Sequence, residues 1–561
     1  MLRREFIKLG MAATLPLAGC RTTENLEVTG RSIDAHCHVF NASDLPVVRF
    51  IKQTFLRRYP EHYEKRIFDI EDPDLLDFLL ELVTRLLGTG SAPTANEEIQ
   101  VLQGARDASA ENADYDLAKA RAVNGTARFI RELETRAGGP ATMGVVEISP
   151  AARQLDAFLR AVGEGGPRIA AITPLQSKRI ATNAFSRLDQ IGAYLRWIPL
   201  FKLYRYKLVD RLAADHERQG RQPLLLAPAM VDFDHWLGES VKQSPLPEQV
   251  QVMGLLAKRK NGPVVHGYFG FDPLREVYFR AGQDSVSPLS WARTALEEHG
   301  FLGVKLYPPM GFRASGNKSP YPKRVKTQLG FDPSGKLDEA LDQLYRLCDE
   351  LGAPILAHGH ASNGAGPKYD ARADPAFWLP VFKTHPKLRV CLAHFGRFGV
   401  VSDGASGTEL PANSWEWRLG SYIRENPKAP IYADLSFFSE VLHADKEERA
   451  ALAANFSAWV REFDPDAEHL VFGTDWLMLG MDTGYDRYIP SVDAFLRKDC
   501  HWSDAMIDRV FVTNALRFFG LQSGEKTYRR LLAFYERNNL DASRLPSIDG
   551  SIITALFGRN D

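Results

Sequence analysis

A (β/α)8 TIM barrel of the α/β class, carrying a large and mostly helical insertion after its first strand, is what three features of this sequence predict. From residue 220 onward, short runs rich in β-branched and aromatic residues alternate with longer amphipathic stretches, as in βα units around a parallel sheet. The runs number eight once "SIDAHCHVF" near the N-terminus is included, the count that closes such a barrel. Four of the eight end in residues able to bind a metal, and a barrel gathers its C-terminal strand ends at one mouth.

Taken in chain order, the first twenty residues, "MLRREFIKLGMAATLPLAGC", are expected to be an export signal rather than part of the fold. Arg3 and Arg4, then Phe6 and Lys8, precede an apolar stretch from Leu9 to Ala18 that is too short to span a membrane permanently. The pair resembles the twin-arginine signal of bacteria, with Leu2 where Ser or Thr is usual. "LAGC" at 17–20 resembles a lipobox, in which Cys20 is acylated and becomes the mature N-terminus. The bland alternatives are an ordinary cleaved signal or the basic start of a helix. The expected location is the periplasmic face of a bacterial membrane, as a lipoprotein anchored through Cys20, or else the soluble periplasm. Residues 21–31 would then be a polar tether. No other segment reaches the roughly 18 apolar residues of a spanning helix.

The barrel is expected over 32–38 and 223–521. Between them, residues 39–222 are too long for one βα connection and contain helical patterns such as "DLLDFLLELVTRLL" and "LAKARAVNGTARFIRELETRA". They read as a cap over the barrel mouth or as a separate domain. The remaining strands are "PLLLAPAMVDF" (223–233), "PVVHGYFGFDP" (263–273), "FLGVKLYP" (301–308), "APILAHGH" (353–360), "LRVCLAHFG" (388–396), "PIYADLSFF" (430–438) and "HLVFGTDW" (469–476). Of the helices between them, "LDEALDQLYRLCDELG" places leucines 337, 341, 344, 347 and 351 at helical spacing, with Gly352 as its C-cap. Residues 522–561 form a C-terminal extension.

Composition narrows the function. With 45% hydrophobic and 25% charged residues the chain is globular, and a formal net charge of -1 supplies no general field for nucleic acid. A small-molecule substrate is the expected partner. The five cysteines, at 20, 37, 348, 391 and 500, form neither a CxxC pair nor a disulfide framework. Cys37 alternates with His36 and His38 and should be a buried core thiol on the opposite face of the strand.

His36 and His38, at i and i+2, share one face of the first strand and make half of a metal site. The fifth strand ends in His358, followed by His360; the sixth ends in His394 and the eighth in Asp475. A single strand histidine is usually a satisfied core residue, and a single buried aspartate is usually a cap. Several of them at equivalent strand ends point instead to a site where imidazoles and a carboxylate hold a divalent metal with one position open.

In this order, "DAHCH", "GVKLYP", "PILAHGH", "CLAHFG", "YADLS", "VFGTDW" and "TNALRFFGL" resemble the amidohydrolase superfamily. The likeness is to its amidohydrolase-related branch (amidohydrolase 2), which includes aminocarboxymuconate-semialdehyde decarboxylase, over roughly residues 31–38 and 223–521. The resemblance implies one Zn²⁺ or similar divalent ion per chain, held by His36, His38, His358 and Asp475, with His394 as acid/base. Bound Zn²⁺ brings the pKa of its water down to roughly 7, and Asp475 can accept that proton. Lys305, ending the fourth strand, is similar to the carbamylated lysine that bridges two metals in dihydroorotase-type members; otherwise it offers its charge to a substrate carboxylate or to Asp475. His360 either supports a metal ligand or faces the substrate, or is a loop histidine. Arg313 opens a loop run with Lys318, Lys323, Arg324 and Lys326 that would suit an anionic substrate or would simply be solvated.

The leading functional expectation is a hydrolase that turns a metal-activated water on an amide, ester or lactone bond. A lyase on the same site, a decarboxylase or hydratase acting on a carboxylated substrate, comes second. A non-catalytic surface binding lipoprotein is third, and the presence of His394 beside the ligand set argues against it.

Overall fold

The computed structural model of the chain describes residues 30–50, 92–122, 124, 196–238, 243–360, 364–366, 369–395, 414–482 and 484–549. The expected signal, Cys20 and residues 21–29 of the expected tether lie outside them, as do the helix expected at 74–87 and most of the one expected at 117–137, whereas Arg31, the expected end of the tether, opens the first strand.

All eight expected strands are present: β1 (Arg31–Cys37), β2 (Gln222–Pro228), β3 (Tyr268–Gly270), β4 (Gly303–Leu306), β5 (Ile355–His358), β6 (Val390–Ala393), β7 (Ile431–Asp434) and β8 (Leu470–Val471). Each pairs parallel to the next, β1 with β2 and β3 through β8 in unbroken order. Parallel bridges Leu226↔Val265 and Ala229↔Tyr268 join β2 to the approach of β3. The seam between β8 and β1 is held by backbone bonds: Ala35 N–H donates to Phe472 O at 3.1 Å and Asp475 N–H to His36 O at 2.7 Å. Gly473 permits that seam, because a Cβ there would stand 2.9 Å from His36 Cβ. The short strands are buried throughout, which explains their continuous apolar reading.

Four helices pack around the strands and the chain that joins them. Helix α1 (Ala95–Leu102) begins at a capping box of Thr94 and Glu97. Helix α2 (Arg205–Arg218) leads into β2, so the last turns of the long stretch after β1 serve as a barrel helix. Helix α3 (Ser334–Leu351) buries Leu337, Leu341, Leu344 and Leu347 and ends at Gly352 with φ 63°, as its spacing predicts. Helix α4 (Lys526–Arg537), from the C-terminal extension, packs near the N-terminal ends of β3 and β4, where the Tyr535 hydroxyl meets His266 Nε2 at 3.1 Å.

A buried ion cluster fixes the stretch after β1 to the barrel. Arg205 donates from Nε to Asp44 at 2.9 Å and from Nη1 to Glu98 at 2.8 Å, and all three are almost fully buried. Glu98 also accepts the backbone N–H groups of Arg205 (2.9 Å) and Tyr206 (2.7 Å), which caps the positive end of α2. Farther along α2, His216 reaches Asp34 of β1 at 3.1 Å, and Asp34 accepts the Thr474 N–H (3.0 Å) and hydroxyl (2.6 Å) beside Asp475.

Candidate metal centre

The alternation of β1 sends His36 and His38 to the barrel mouth and leaves Cys37 as a buried free thiol, its pKa pushed up by burial. The turn after β8 brings Asp475 against both imidazoles, 3.5 Å from His36 Nε2 and 3.2 Å from His38 Nε2 through the same Oδ1. The three side chains are buried.

Hydrogen bonding on the far side of each ring decides what these contacts are. His38 Nδ1 lies 2.8 Å from the Ala229 carbonyl, which only accepts, so Nδ1 carries the proton. His36 Nδ1 lies 3.0 Å from Asp434 Oδ2 and must likewise donate. Burial, with Lys305 and His38 adding to it, holds the His36 pKa well below the usual histidine range, so that ring is neutral. Asp475 Oδ1 is buried and has no hydrogen-bond partner among the described residues. His36 Nε2 and His38 Nε2 thus both face one carboxylate oxygen, with the Lys305 ammonium also at His36 Nε2, so three potential ligand atoms gather at one buried point where a metal cation would fit. The carboxylate behind His36 is the support a metal-binding imidazole ordinarily has.

His358 ends β5 as expected but stands outside that tight cluster. Its ring packs on His394 and Tyr307, with centroids 4.7 and 4.4 Å away, and both ring nitrogens are buried without a hydrogen-bond partner among the described residues. His394 follows β6 directly. Its Nδ1 faces the Ser436 carbonyl at 3.1 Å, so Nδ1 donates, and its Nε2 lies 3.9 Å from Asp475 Oδ2. Burial, only partly opposed by the Asp475 charge, takes the His394 pKa down to about 3, which keeps Nε2 in its base form. His394 and Asp475 adopt left-handed backbones, φ 57° and 53°, a conformation that costs non-glycine residues energy and marks functional turns.

Lys305 is buried at the end of β4, and its ammonium lies 2.8 Å from His36 Nε2. Burial lowers its pKa to about 8 against the pull of Asp475 and Asp434. A metal and this ammonium cannot share one lone pair, so loading His36 with metal requires the Lys305 side chain to move off it. Beside Lys305 opens a cavity walled by Met230, Phe233, Phe271, Tyr307 and Phe312. His360 lies just past β5, half-buried, and its charge would disfavour a protonated His358.

Arg313 is not brought to the site. Its guanidinium sits over the Phe377 ring at 4.4 Å, Nη1 meets the Gly316 carbonyl at 3.3 Å, and its backbone N–H donates to Asn317. Lys326 pairs with Asp332 at 2.8 Å and Arg324 donates to the His235 carbonyl at 2.9 Å. The basic run expected to receive an anion thus has these three cations engaged within its own neighbourhood.

Two residues of the site carried no functional expectation. Asp434, ending β7, accepts the His36 Nδ1–H through Oδ2 and the His394 backbone N–H through Oδ1 at 2.8 Å. Ser436 stands between the two imidazoles. Asp434 also lies within ligand distance of His36 and His394, but its oxygens are engaged by these hydrogen bonds, so it supports rather than coordinates. Its signal in the sequence was its place, an acid at the end of a barrel strand. The donor set of His36, His38, Asp475 and the unpartnered His358 fits a borderline metal such as Zn²⁺.

Residues 278–521, less than half of the chain, match the family model described as amidohydrolase. The match takes in Lys305, His358, His394 and Asp475 and leaves out His36 and His38. No curated protein matches the chain. Among solved structures, a protein described as a 2-pyrone-4,6-dicarboxylic acid hydrolase from Pseudomonas putida is similar at 14% identity, over 55% of this chain and 86% of its own, with a TM-score of 0.31. A protein described as a metal-dependent hydrolase from Lactobacillus casei is similar at 12% identity over 63% and 87%, with a TM-score of 0.36. A lactonase from Listeria monocytogenes is similar at 13% identity over 56% and 85%, with a TM-score of 0.29. Scores this low leave the assignment to the family match and to the geometry of the site.

Proposed function

We infer that this enzyme, a member of the amidohydrolase family matched over residues 278–521, hydrolyses an amide, ester or lactone bond of a small molecule at the mouth of its barrel. Metal dependence belongs to the family in general; the ligand set and the bond class are our reading. One observation carries it: the buried convergence of His36 Nε2, His38 Nε2 and Asp475 Oδ1. His358 would be the fourth donor, with both of its ring nitrogens free of other duties. A divalent ion held there supplies Lewis acidity and brings the pKa of a coordinated water to roughly neutral.

The chain's own residues supply the rest. His394 presents a neutral Nε2 that can take a proton as the nucleophile attacks and return it to the leaving group, a role worth about 10²–10⁴-fold. Its Nδ1–H is tied to the Ser436 carbonyl, so the ring cannot turn to offer the wrong nitrogen. The aromatic rings that line the small adjoining cavity would face a substrate's apolar part.

Lys305 favours a second reading of the same site. A buried ammonium beside an apolar cavity suits a substrate carboxylate, the group a decarboxylase or hydratase would act on. Zinc-loaded protein assayed on a panel of lactones, esters, amides and carboxylates separates the two: hydrolysis of a member of the first three is expected, and carbon dioxide release or water addition without hydrolysis would transfer the assignment to the lyase.

For location we propose export and anchoring through Cys20. Membrane fractions of the native host should contain the protein, and Cys20→Ala should release it; wild-type protein wholly in the cytoplasm would refute this.

A further inference from the structure

The Ser436 hydroxyl lies 2.9 Å from His36 Nδ1 and 2.8 Å from His394 Nδ1, and it also contacts Asp434 Oδ1 closely. The direction of each bond is forced. His36 Nδ1 faces the Asp434 carboxylate and His394 Nδ1 faces the Ser436 carbonyl, and neither oxygen can donate, so both nitrogens carry protons. The hydroxyl must then accept from both rings with its two lone pairs and give its own hydrogen to Asp434. All three of its hydrogen-bonding positions are filled, and the residue is buried.

We propose that Ser436 is a positioning residue shared by two imidazoles, its hydroxyl locking the ring of His36 against the ring of His394 so that both Nε2 atoms face Asp475. The inference rests on the reading of His36 as a metal ligand and His394 as acid/base, and it adds a residue to which no role attaches. The two rings stand with centroids 4.7 Å apart, tilted by 41°, and the hydroxyl is the one atom bonded to both among the described residues. Asp434 reaches His36 through its ring but His394 only through the backbone, so it cannot set the angle between the rings. Without the hydroxyl each Nδ1–H keeps its acceptor-only partner, so the tautomers survive while the mutual orientation loosens.

The experiment compares wild type, Ser436→Ala and Ser436→Thr in three measurements: Zn²⁺ affinity by chelator competition, the visible spectrum at saturating Co²⁺, and the melting temperature of metal-free protein. Loss of such a supporting hydrogen bond is expected to weaken Zn²⁺ binding about 10-fold or more. The Ser436→Ala cobalt spectrum should change even at full occupancy, which a purely structural role would not produce. Ser436→Thr, which keeps the hydroxyl, should return both readings toward wild type. An Ala variant with wild-type affinity and spectrum overturns the proposal, as does a loss matched by Thr or one accounted for by an equal loss of metal-free stability. Wild-type protein with no Zn²⁺ affinity would instead sink the metal reading itself, and this proposal with it.

Discussion

Two buried polar clusters, both tied to β1 or to the chain just beyond it, differ in one respect that separates scaffold from site. Around Arg205, each charge faces its opposite: the guanidinium meets Asp44 and Glu98, and Glu98 takes two backbone N–H groups besides. Around Asp475 the pairing is incomplete. The Nε2 atoms of His36 and His38 point at one carboxylate oxygen that accepts no hydrogen bond among the described residues, and neither nitrogen of His358 has a hydrogen-bond partner among them. Buried polar groups are ordinarily paired, so a cluster left unpaired requires a ligand to complete it. Burial alone would not have told the two apart; the direction of the hydrogen bonds does.

The largest expected effect falls on the unpaired cluster. Asp475→Ala removes the oxygen on which His36 and His38 converge, and it should abolish both metal retention and turnover while leaving the chain folded, because the buried Lys305 ammonium keeps the Asp434 charge. Elemental analysis alongside circular dichroism checks this. A variant that keeps one equivalent of metal would place the ligand set elsewhere, with His36, His394 and Asp434 as the next arrangement to test. Next comes His394→Asn, which should retain metal and lose about 10²–10⁴-fold in kcat. If metal falls in step with activity, His394 is a ligand and a two-metal site with Lys305 takes the place of the present reading.

How far the sequence announces each cluster follows from the same distinction. The eight strands are legible because each apolar run is bounded by glycine, proline or charge; only their lengths were overstated, since paired residues stop at Val471 while the run reads on to Trp476. His36, His38, His394 and Asp475 are legible because strand ends converge in a barrel whatever the loops do. Asp434 shares that position, but a buried acid there reads equally well as a cap. Ser436 had no signal of its own, because a serine two residues past a strand is common. Arg313 shows the converse: a run of cations without acids reads as an anion site or as a solvated face, and the ring that covers Arg313, Phe377, is far away in sequence. Arg205 was invisible for the same reason, its partners Asp44 and Glu98 being more than a hundred residues distant.

The paired cluster should fail differently. Arg205→Met leaves Asp44 and Glu98 buried without their countercharge, and breaking a buried pair from one side costs about 3–5 kcal/mol. Burial already pushes the Glu98 carboxyl upward against the guanidinium's pull, so removing the arginine drives it further toward protonation. Denaturant unfolding should show the loss, while the protein that remains folded binds its full metal complement. Metal lost in proportion to stability would mean that the two clusters are coupled, and the contrast between them would collapse.

The smallest effect concerns a histidine that resembles His36 in burial but belongs with the satisfied cluster. His266 donates from Nδ1 to the Gly300 carbonyl at 2.7 Å and accepts the Tyr535 hydroxyl at Nε2, 3.1 Å away, joining β3 to α4 at the end of the barrel remote from the metal ligands. Burial lowers its pKa to about 4, and the charge of Arg530 adds to that. Unfolded, the same side chain titrates near 6.5, so between pH 6.5 and 4 the unfolded chain binds the proton that the folded one refuses. Stability from this residue is therefore complete above about pH 6.5 and is lost as the pH falls toward 4, at about 1.4 kcal/mol per pH unit within the window. His266→Gln removes the titration, whatever it does to absolute stability. Unfolding free energies of metal-free wild type and variant, measured from pH 6 to 4.5, should differ in slope by that amount, with the wild type steeper. Parallel slopes would mean that His266 takes up its proton in place, with the Tyr535 hydroxyl turned to accept it, and that this region is less rigid than its hydrogen bonds make it.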